Sequence, residues 1–494
     1  MSVPASKPLD SPIDAVAWVP GSLTLRGFVQ SAGLMSISSL ANVARGLISA
    51  KVLAVTLGPS PLGILAQLLN FSAFLMTVVP LGLTSGVAKM IAEAQDSEDE
   101  INQIVGTSTA LALVSGIAAA VVAAPFAINL SGVLTGSARY GVFVVALLAS
   151  LPFSNLSGVL SYVLQGMSDI RRLTWVNVSV AGGTLALTVP AAFAFGLPGV
   201  VGAIVASSVL QAAASLIALR LAYRAHGWRL SGLRFSKKHG RILLSYGSIM
   251  LVGGIGMLGS VLVVRTIAIR ELGAFENGIY QVAYALSSQY MTVFMAWMSA
   301  YVFPRIAGER DERRVGELLN FGLVVNLHLV VPILVAVIAL RDPVIRLLFS
   351  TAFLPIAPLL PVQVFGDYLK VIGWSFGVVL FARGRTGGHL AAVLAQALAW
   401  IVIAMPLIRP LGLGAVVIGY TLSYLTWPLL MYPMARQWFG VRISREGAAL
   451  TALGVLLLLG ASLLPWFVGV ALALVMPAIL VYSRRRMLIN RLSA

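Results

Sequence analysis

KVLAVTLGPSPLGILAQLLNF, residues 51–71, is the stretch on which the fold turns. It carries the end of one apolar run through Leu57-Gly58 and into the start of another. Extended outward, the two runs cover about 29–56 and 62–84. Each exceeds the roughly 20 apolar residues that cross a bilayer. Neither shows the short alternating segments of a membrane barrel strand. In lipid every backbone group must be satisfied within the protein, so continuous runs of this length are helices.

The same reading repeats along the chain. Further apolar stretches fall near 103–126, 140–165, 173–194, 198–220, 243–269, 278–303, 317–340, 355–382, 388–408, 412–434, 447–464 and 467–483. Of 494 residues, 59% are hydrophobic and only 10% are charged, with a mean hydropathy of +0.94. Soluble domains carry roughly 25% charged residues. The expected fold class is therefore an all-α integral membrane protein of about fourteen transmembrane helices. The first stretch is the longest, which predicts tilt or a bend.

Residues 51–71 also have a counterpart. At a shift of 215, Leu57-Gly58 meets Leu272-Gly273 and Gly63-Ile64 meets Gly278-Ile279. The loops that follow match too: Lys89-Met90-Ile91-Ala92-Glu93 and Arg305-Ile306-Ala307-Gly308-Glu309. One residue out of register, Lys51-Val52-Leu53-Ala54-Val55 resembles Arg265-Thr266-Ile267-Ala268-Ile269. This predicts two six-helix lobes, 29–223 and 243–435, joined by a basic linker at 224–242. A tail at 1–28 precedes them, and two more helices with a basic tail occupy 447–494. Six crossings return the chain to its starting side, so the lobes share orientation about an axis along the membrane normal. Transporters built from such repeats hold substrate between the halves.

Charge sets the orientation. One set of loops carries Arg171, Arg172, Arg220, Arg224, Arg229, Arg234, Lys237, Lys238, Arg241, Arg310, Arg313, Arg314, Arg383, Arg385, Arg436, Arg442 and Arg445, and the end of the chain adds Arg484, Arg485, Arg486 and Arg491. The other set has only Arg139, Arg270, Arg341, Arg346 and Arg409. By the positive-inside rule both termini are expected in the cytoplasm. The net charge of +17 serves topology and anionic headgroups. It is dispersed over short loops, which argues against nucleic-acid binding. Residues 1–27 lack a basic region ahead of a short apolar core, so no signal peptide is expected.

Catalysis finds little support. There are no cysteines, which removes thiolate chemistry and disulfides. The four histidines, His226, His239, His328 and His389, lack metal-ligand spacing. No cofactor motif is present, and no loop is long enough for a soluble catalytic domain. The expectation is a transporter with no catalytic residues, metal or cofactor, driven by the membrane potential or an ion gradient.

Five ionisable residues fall inside spans: Arg45, Lys51, Arg265, Asp367 and Lys370. Each costs roughly 2.5–3.5 kcal/mol at a helix centre on insertion scales, so function is the default reading. Ser38, Asn42, Arg45 and Ser49 form one stripe that is expected to line a polar cavity. Lys51 and Arg265 hold matching places in the two halves, where both cavity lining and snorkelling to headgroups fit. Gln363, Asp367, Lys370 and Trp374 form another stripe, on which Asp367 and Lys370 can pair as a coupling or gating unit. Gly366, Gly373 and Gly377 lie on an adjacent face suited to close helix packing. Tyr280, Gln281, Tyr284 and Ser288 offer amphipathic groups for sugars or for a neighbouring helix. Four interior cations to one carboxylate favour an anionic substrate, and diphosphate suits Arg and Lys.

Residues 51–71 with GLTSGVAKMIAEAQ (82–95) resemble the N-terminal signature of bacterial O-antigen and enterobacterial-common-antigen translocases, the Wzx type. QVFGDYLKVIGWSFGVVLFARGR (363–385) is similar to their tenth span, with Gly366, Asp367 and Lys370 at its core. These proteins belong to the multidrug/oligosaccharidyl-lipid/polysaccharide (MOP) exporter superfamily. The resemblance covers about 30–435 and implies twelve core helices in two lobes. It implies movement of undecaprenyl-diphosphate-linked oligosaccharide from the cytoplasmic to the periplasmic leaflet of the inner membrane, by alternating access. By that analogy Arg45, Lys51, Arg265, Lys370 and Asn42 meet diphosphate or sugar, and a polysaccharide polymerase or other assembly protein is a possible partner. The pair of helices at 447–483 departs from the commoner twelve-span plan. The alternatives are a lipid II flippase and a cation-coupled drug exporter, the latter wanting a deep acidic residue in the first or seventh span. A membrane-embedded glycosyltransferase would want a catalytic acid near an interface.

Overall fold

The structure, a computed structural model, describes residues 25–80, 83–94, 97–229 and 232–479. The first 24 residues of the expected tail, and the basic end from 480 on, lie outside them. The described chain is helical throughout. In order it forms α1 (Leu25–Leu57), α2 (Pro59–Val78), α3 (Leu83–Glu93), α4 (Glu98–Ala123), α5 (Ala127–Thr135), α6 (Gly141–Gly166) and α7 (Ile170–His226). The second half continues with α8 (Lys237–Leu272), α9 (Ala274–Trp297), α10 (Phe303–Gly308), α11 (Glu312–Ala339), α12 (Arg341–Leu348), α13 (Leu360–Ala382) and α14 (Thr386–Leu411). Last come α15 (Leu413–Tyr424), α16 (Thr426–Phe439), α17 (Arg445–Leu463) and α18 (Trp466–Ala473).

Among the described residues, eleven helical segments are long and apolar enough to cross a membrane. Segment Ile170–His226 accounts for two predicted stretches at once. Its 57 residues would span about 85 Å as one rod. It breaks at Gly196, with φ 60° and ψ −138°, just before Pro198. The arms fold back on each other: a Cβ on Gly183 would strike Leu210, and one on Gly199 would strike the Ala191 carbonyl. Two of the fourteen predicted stretches remain. One begins α18, whose apolar segment is short. The other is α9, which carries Asn277, Gln281, Ser287, Ser288, Gln289 and Thr292 and is too polar for lipid on every side.

At the arginine-rich face, side chains cap five of the helices that start there. Ser97, Asp169, Ser236, Asp311 and Ser444 accept hydrogen bonds from the backbone N–H groups of Glu100, Arg172, His239, Arg313 and Gly447. This satisfies donors that the helix itself leaves unpaired. At the opposite face four of the turns are glycines with positive φ, in two repeat-related pairs. Gly58 (φ 69°, ψ −178°) and Gly273 (φ 98°, ψ 169°) join α1 to α2 and α8 to α9. Gly196 and Gly412 (φ 55°, ψ −134°) join the arms of α7 and the pair α14 and α15. The duplication is thus present in the backbone.

The two halves meet where α2 crosses α9. A Cβ on Gly63 would collide with the Ala274 carbonyl, and a Cβ on Gly278 with the Pro59 carbonyl. Gly63 and Gly278 are repeat mates, as are Pro59 and Ala274. The pseudo-two-fold axis therefore passes through this contact, and only glycine fits on either side of it. In the second half one continuous apolar core runs through α9, α11, α13, α15 and α16. The first half divides its core in two. One part lies among α3, α4, α6 and α7, and the other among α2, α5 and α6. Helices α17 and α18 pack on α11.

Candidate functional site: a cavity between the halves

A cavity of about 210 Å³ lies between α1, α2 and α9 and is bounded by Phe349. Its two long walls are repeat mates with opposite chemistry. The α2 wall presents Leu62, Leu65, Ala66 and Leu69, and the α9 wall presents Gln281, Tyr284, Ser288 and Gln289 beside Ala285 and Leu286. Gly46 and Ser49 of α1 complete it. No Asp or Glu lines it. Asn42, Arg45 and Ser49 thus belong to the stripe that reaches the cavity at Ser49. Arg45 lies about one helical turn from Ser49, toward the arginine-rich face, half-buried and without a hydrogen-bonding partner among the described residues. Asn42 is exposed and donates within its own helix to the Ser38 carbonyl at 3.0 Å.

Arg265 does not snorkel. It is completely buried behind the α9 wall. Its Nε donates to Asn277 Oδ1 at 2.8 Å, one terminal nitrogen to the Asn277 carbonyl at 3.3 Å and the other to Gln281 Oε1 at 2.7 Å. The guanidinium also lies 5.5 Å from the ring centroids of both Tyr280 and Tyr284. Asn277 passes the connection to the seam, donating to the Gly63 carbonyl at 2.7 Å. A buried guanidinium is tolerable only when its donors are used, and here acceptors and π faces surround it.

Asp367 is also completely buried. The ion pair expected between Asp367 and Lys370 does not form, since it is absent from the ion pairs within 4 Å among the described residues. Three hydroxyls donate to Asp367 instead: Ser287 at 2.5 Å, Tyr420 at 2.7 Å, and Tyr290. The reason is reach. A short carboxylate is better matched by hydroxyls converging from α9 and α15 than by an ammonium on a long stem offset around its own helix. Lys370 sits 5.2 Å from the Tyr424 ring centroid. The three glycines of α13 pack as their spacing suggests: added Cβ atoms would meet Tyr420 from Gly366, Trp427 from Gly373 and Met431 from Gly377.

Lys51 goes elsewhere. It crosses to the other half and donates to the carbonyls of Phe349 at 2.7 Å and Arg346 at 3.1 Å, at the C-terminal end of α12. Of the five intramembrane charges, the structure gathers Arg265, Asp367 and Lys370 in the second half, sets Arg45 on the facing helix and draws Lys51 to the opposite face. Asn277, Ser287, Tyr290, Tyr420 and Tyr424 are the partners that charge-spotting misses. The signal for the first two was the polar stripe of α9 at helical spacing.

The family profile described as polysaccharide biosynthesis protein matches residues 52–358, more than half of the chain. The chain belongs to that family. The chain is 26% identical over 399 residues to the lipid III flippase of Escherichia coli (strain K12), which is 79% of this chain and 94% of that protein. The lipid III flippase of Shigella flexneri matches equally, at 26% over 399 residues. Among solved structures, an inward-facing multidrug resistance MATE family transporter of the MOP superfamily superposes with a TM-score of 0.70 at 16% identity, covering 85% of this chain and 99% of that one. The lipid II flippase MurJ in its inward closed conformation gives 0.70 at 13% identity, covering 93% and 100%. These structural likenesses show a shared fold.

Proposed function

We propose that this family member is a flippase that carries a polyprenyl-diphosphate-linked oligosaccharide from the cytoplasmic to the periplasmic leaflet of a bacterial inner membrane by alternating access. The observation that carries the reading is the two-sided cavity: an apolar α2 wall, a largely polar α9 wall backed by the buried Arg265, and no lining carboxylate. Such a cavity suits an anionic, sugar-bearing lipid and not a cationic drug. The absence of a deep acidic residue in α1 or α8 points the same way. The family and the flippases it resembles support transport without covalent chemistry.

Taking the arginine-rich face as cytoplasmic, the crossing at Gly63 and Gly278 lies near the periplasmic face and closes it. A cavity of about 210 Å³ is smaller than the roughly 300–1,000 Å³ of ordinary ligand sites. The halves must therefore separate to admit an oligosaccharide. The membrane potential, negative inside, favours outward movement of the diphosphate by roughly 2.3 kcal/mol per charge per 100 mV. Arg45, on the cytoplasmic side of the cavity, is the group placed to receive that charge. Asp367 supplies the coupling or gating carboxylate.

Depletion of the protein in its host, with lipid-linked oligosaccharides quantified by leaflet, tests this. Completed units should accumulate on the cytoplasmic side, relieved by the wild-type gene and not by Arg45→Ala. Rescue by Arg45→Ala would keep the function and remove that site. A normal surface glycan without accumulation would overturn the reading in favour of lipid II or drug transport.

A further inference from the structure

We propose that Gln281 is the residue through which the cavity reads the transported sugar, and that Arg265 acts through it as a positioning residue and does not itself touch diphosphate. This rests on the flippase reading above. A guanidinium has donors and no acceptor, so an amide facing it must turn its oxygen inward. Gln281 Oε1 accepts from Arg265 at 2.7 Å. Its Nε2 is thereby turned away from Arg265, on a half-buried side chain that lines the cavity, with no acceptor among the described residues. Arg265 cannot drift, because Asn277 holds it by side chain and backbone and is itself fixed to the Gly63 carbonyl. The cavity therefore presents an oriented N–H donor one turn from the Tyr284 ring. That pairing fits a sugar, whose oxygens accept while its C–H face stacks on an aromatic ring. The repeat mates Leu62, Ala66 and Leu69 make the facing wall apolar, suited to the neighbouring isoprenoid units of the same substrate.

Gln281→Glu separates the roles, since it removes the donor and keeps an acceptor for Arg265, whose guanidinium neutralises the added charge. In everted membrane vesicles loaded with the host's own lipid-diphosphate oligosaccharide, transport should fall about tenfold, the scale of one lost hydrogen bond, at unchanged thermal stability. Arg265→Met added to Gln281→Ala should cost no further transport, whereas a direct phosphate contact would make the two losses multiply. Wild-type rates in Gln281→Glu, or multiplying losses, overturn the proposal while leaving the flippase intact. Vesicles in which even the wild type moves no oligosaccharide would instead overturn the function itself.

A second inference stands on separate contacts. Lys51, on the first half's leading helix, grips the C-terminal carbonyls of α12. Arg270, on the second half's leading helix, donates to the Val133 carbonyl in the last turn of α5 at 3.1 Å. Helices α5 and α12 are repeat mates, since 127–135 falls on 342–350 at the shift of 215. Each half thus holds the negative end of the other's short helix with a cation. We infer that the two contacts form one reciprocal latch that keeps the periplasmic face shut and breaks when the protein opens outward.

The chain lacks cysteine, so Ser288→Cys places a single thiol in the cavity. A membrane-impermeant maleimide applied from the periplasmic side should label it at least several-fold faster in a Lys51→Met, Arg270→Met background. The charge-preserving Lys51→Arg and Arg270→Lys should label as slowly as the parent. Equal labelling of the Met variant and the parent, or fast labelling with the charges preserved, would overturn the latch.

Discussion

The first and second halves share a backbone plan and differ in what they bury. Both turn at paired glycines and both offer a small residue where α2 meets α9. Yet where the second half has Asn277, Tyr280, Gln281 and Tyr284, the first has Leu62, Leu65, Ala66 and Leu69. Among the described residues, no Asp, Glu, Lys or Arg of the first half is as deeply buried as Arg265 and Asp367. The apolar core is continuous in the second half and split in the first. The lesson is that a repeat preserves turns and close approaches, which depend on backbone, while the chemistry of a site is added to one copy.

The sharpest break of the comparison is at Asp367. Replacing it with Ala strands three buried hydroxyls and should destabilise the protein by about 2–4 kcal/mol, measured as a lower melting temperature in detergent, with loss of transport. Asp367→Asn keeps an acceptor and should fold, and its flux should lose any dependence on a proton or sodium gradient. Flux and ion dependence equal to wild type would remove Asp367 from coupling. Next in size are the seam glycines. Gly278→Ala and Gly63→Ala each push a methyl into a backbone carbonyl, and each should cost about 1–3 kcal/mol. The two losses should match, because the contact is symmetric; a large inequality would mean that the axis does not run through it. Smallest is Ala66→Gln, which copies Gln281 onto the apolar wall. No guanidinium orients the new amide, so transport should change by less than about twofold. A larger change would show that a donor on either wall suffices.

Much of this was legible from the residues alone. The apolar stretches, the Leu-Gly turns and the loop charges all express one-dimensional rules of length, spacing and sign. Gly366, Gly373 and Gly377 announced the packing of α13 by period. Arg265 and Asp367 stood out because charge inside a span is rare. Their partners did not, because Ser287, Tyr290 and Tyr420 are ordinary residues whose role depends on helices meeting in space. Lys51 shows the limit most plainly. Its register matched Arg265, but its bonds lie with carbonyls 295 and 298 residues away, and nothing local distinguishes a lysine that lines a cavity from one that caps a distant helix. The Asp367–Lys370 pair failed for a related reason: helical spacing shows what can meet along one helix and is silent on better partners from others.

The contact of Gly63 with Ala274, mirrored by Gly278 with Pro59, has a historical consequence. A surface that meets its own copy across a two-fold axis is the hallmark of a symmetric dimer. In a dimer of half-length chains every substitution appears on both sides at once, so a polar wall facing an apolar wall is unreachable. Once two copies are joined in one polypeptide, each side can diverge alone. The two walls have diverged, α2 apolar and α9 largely polar, while the glycines at the axis keep the contact symmetric.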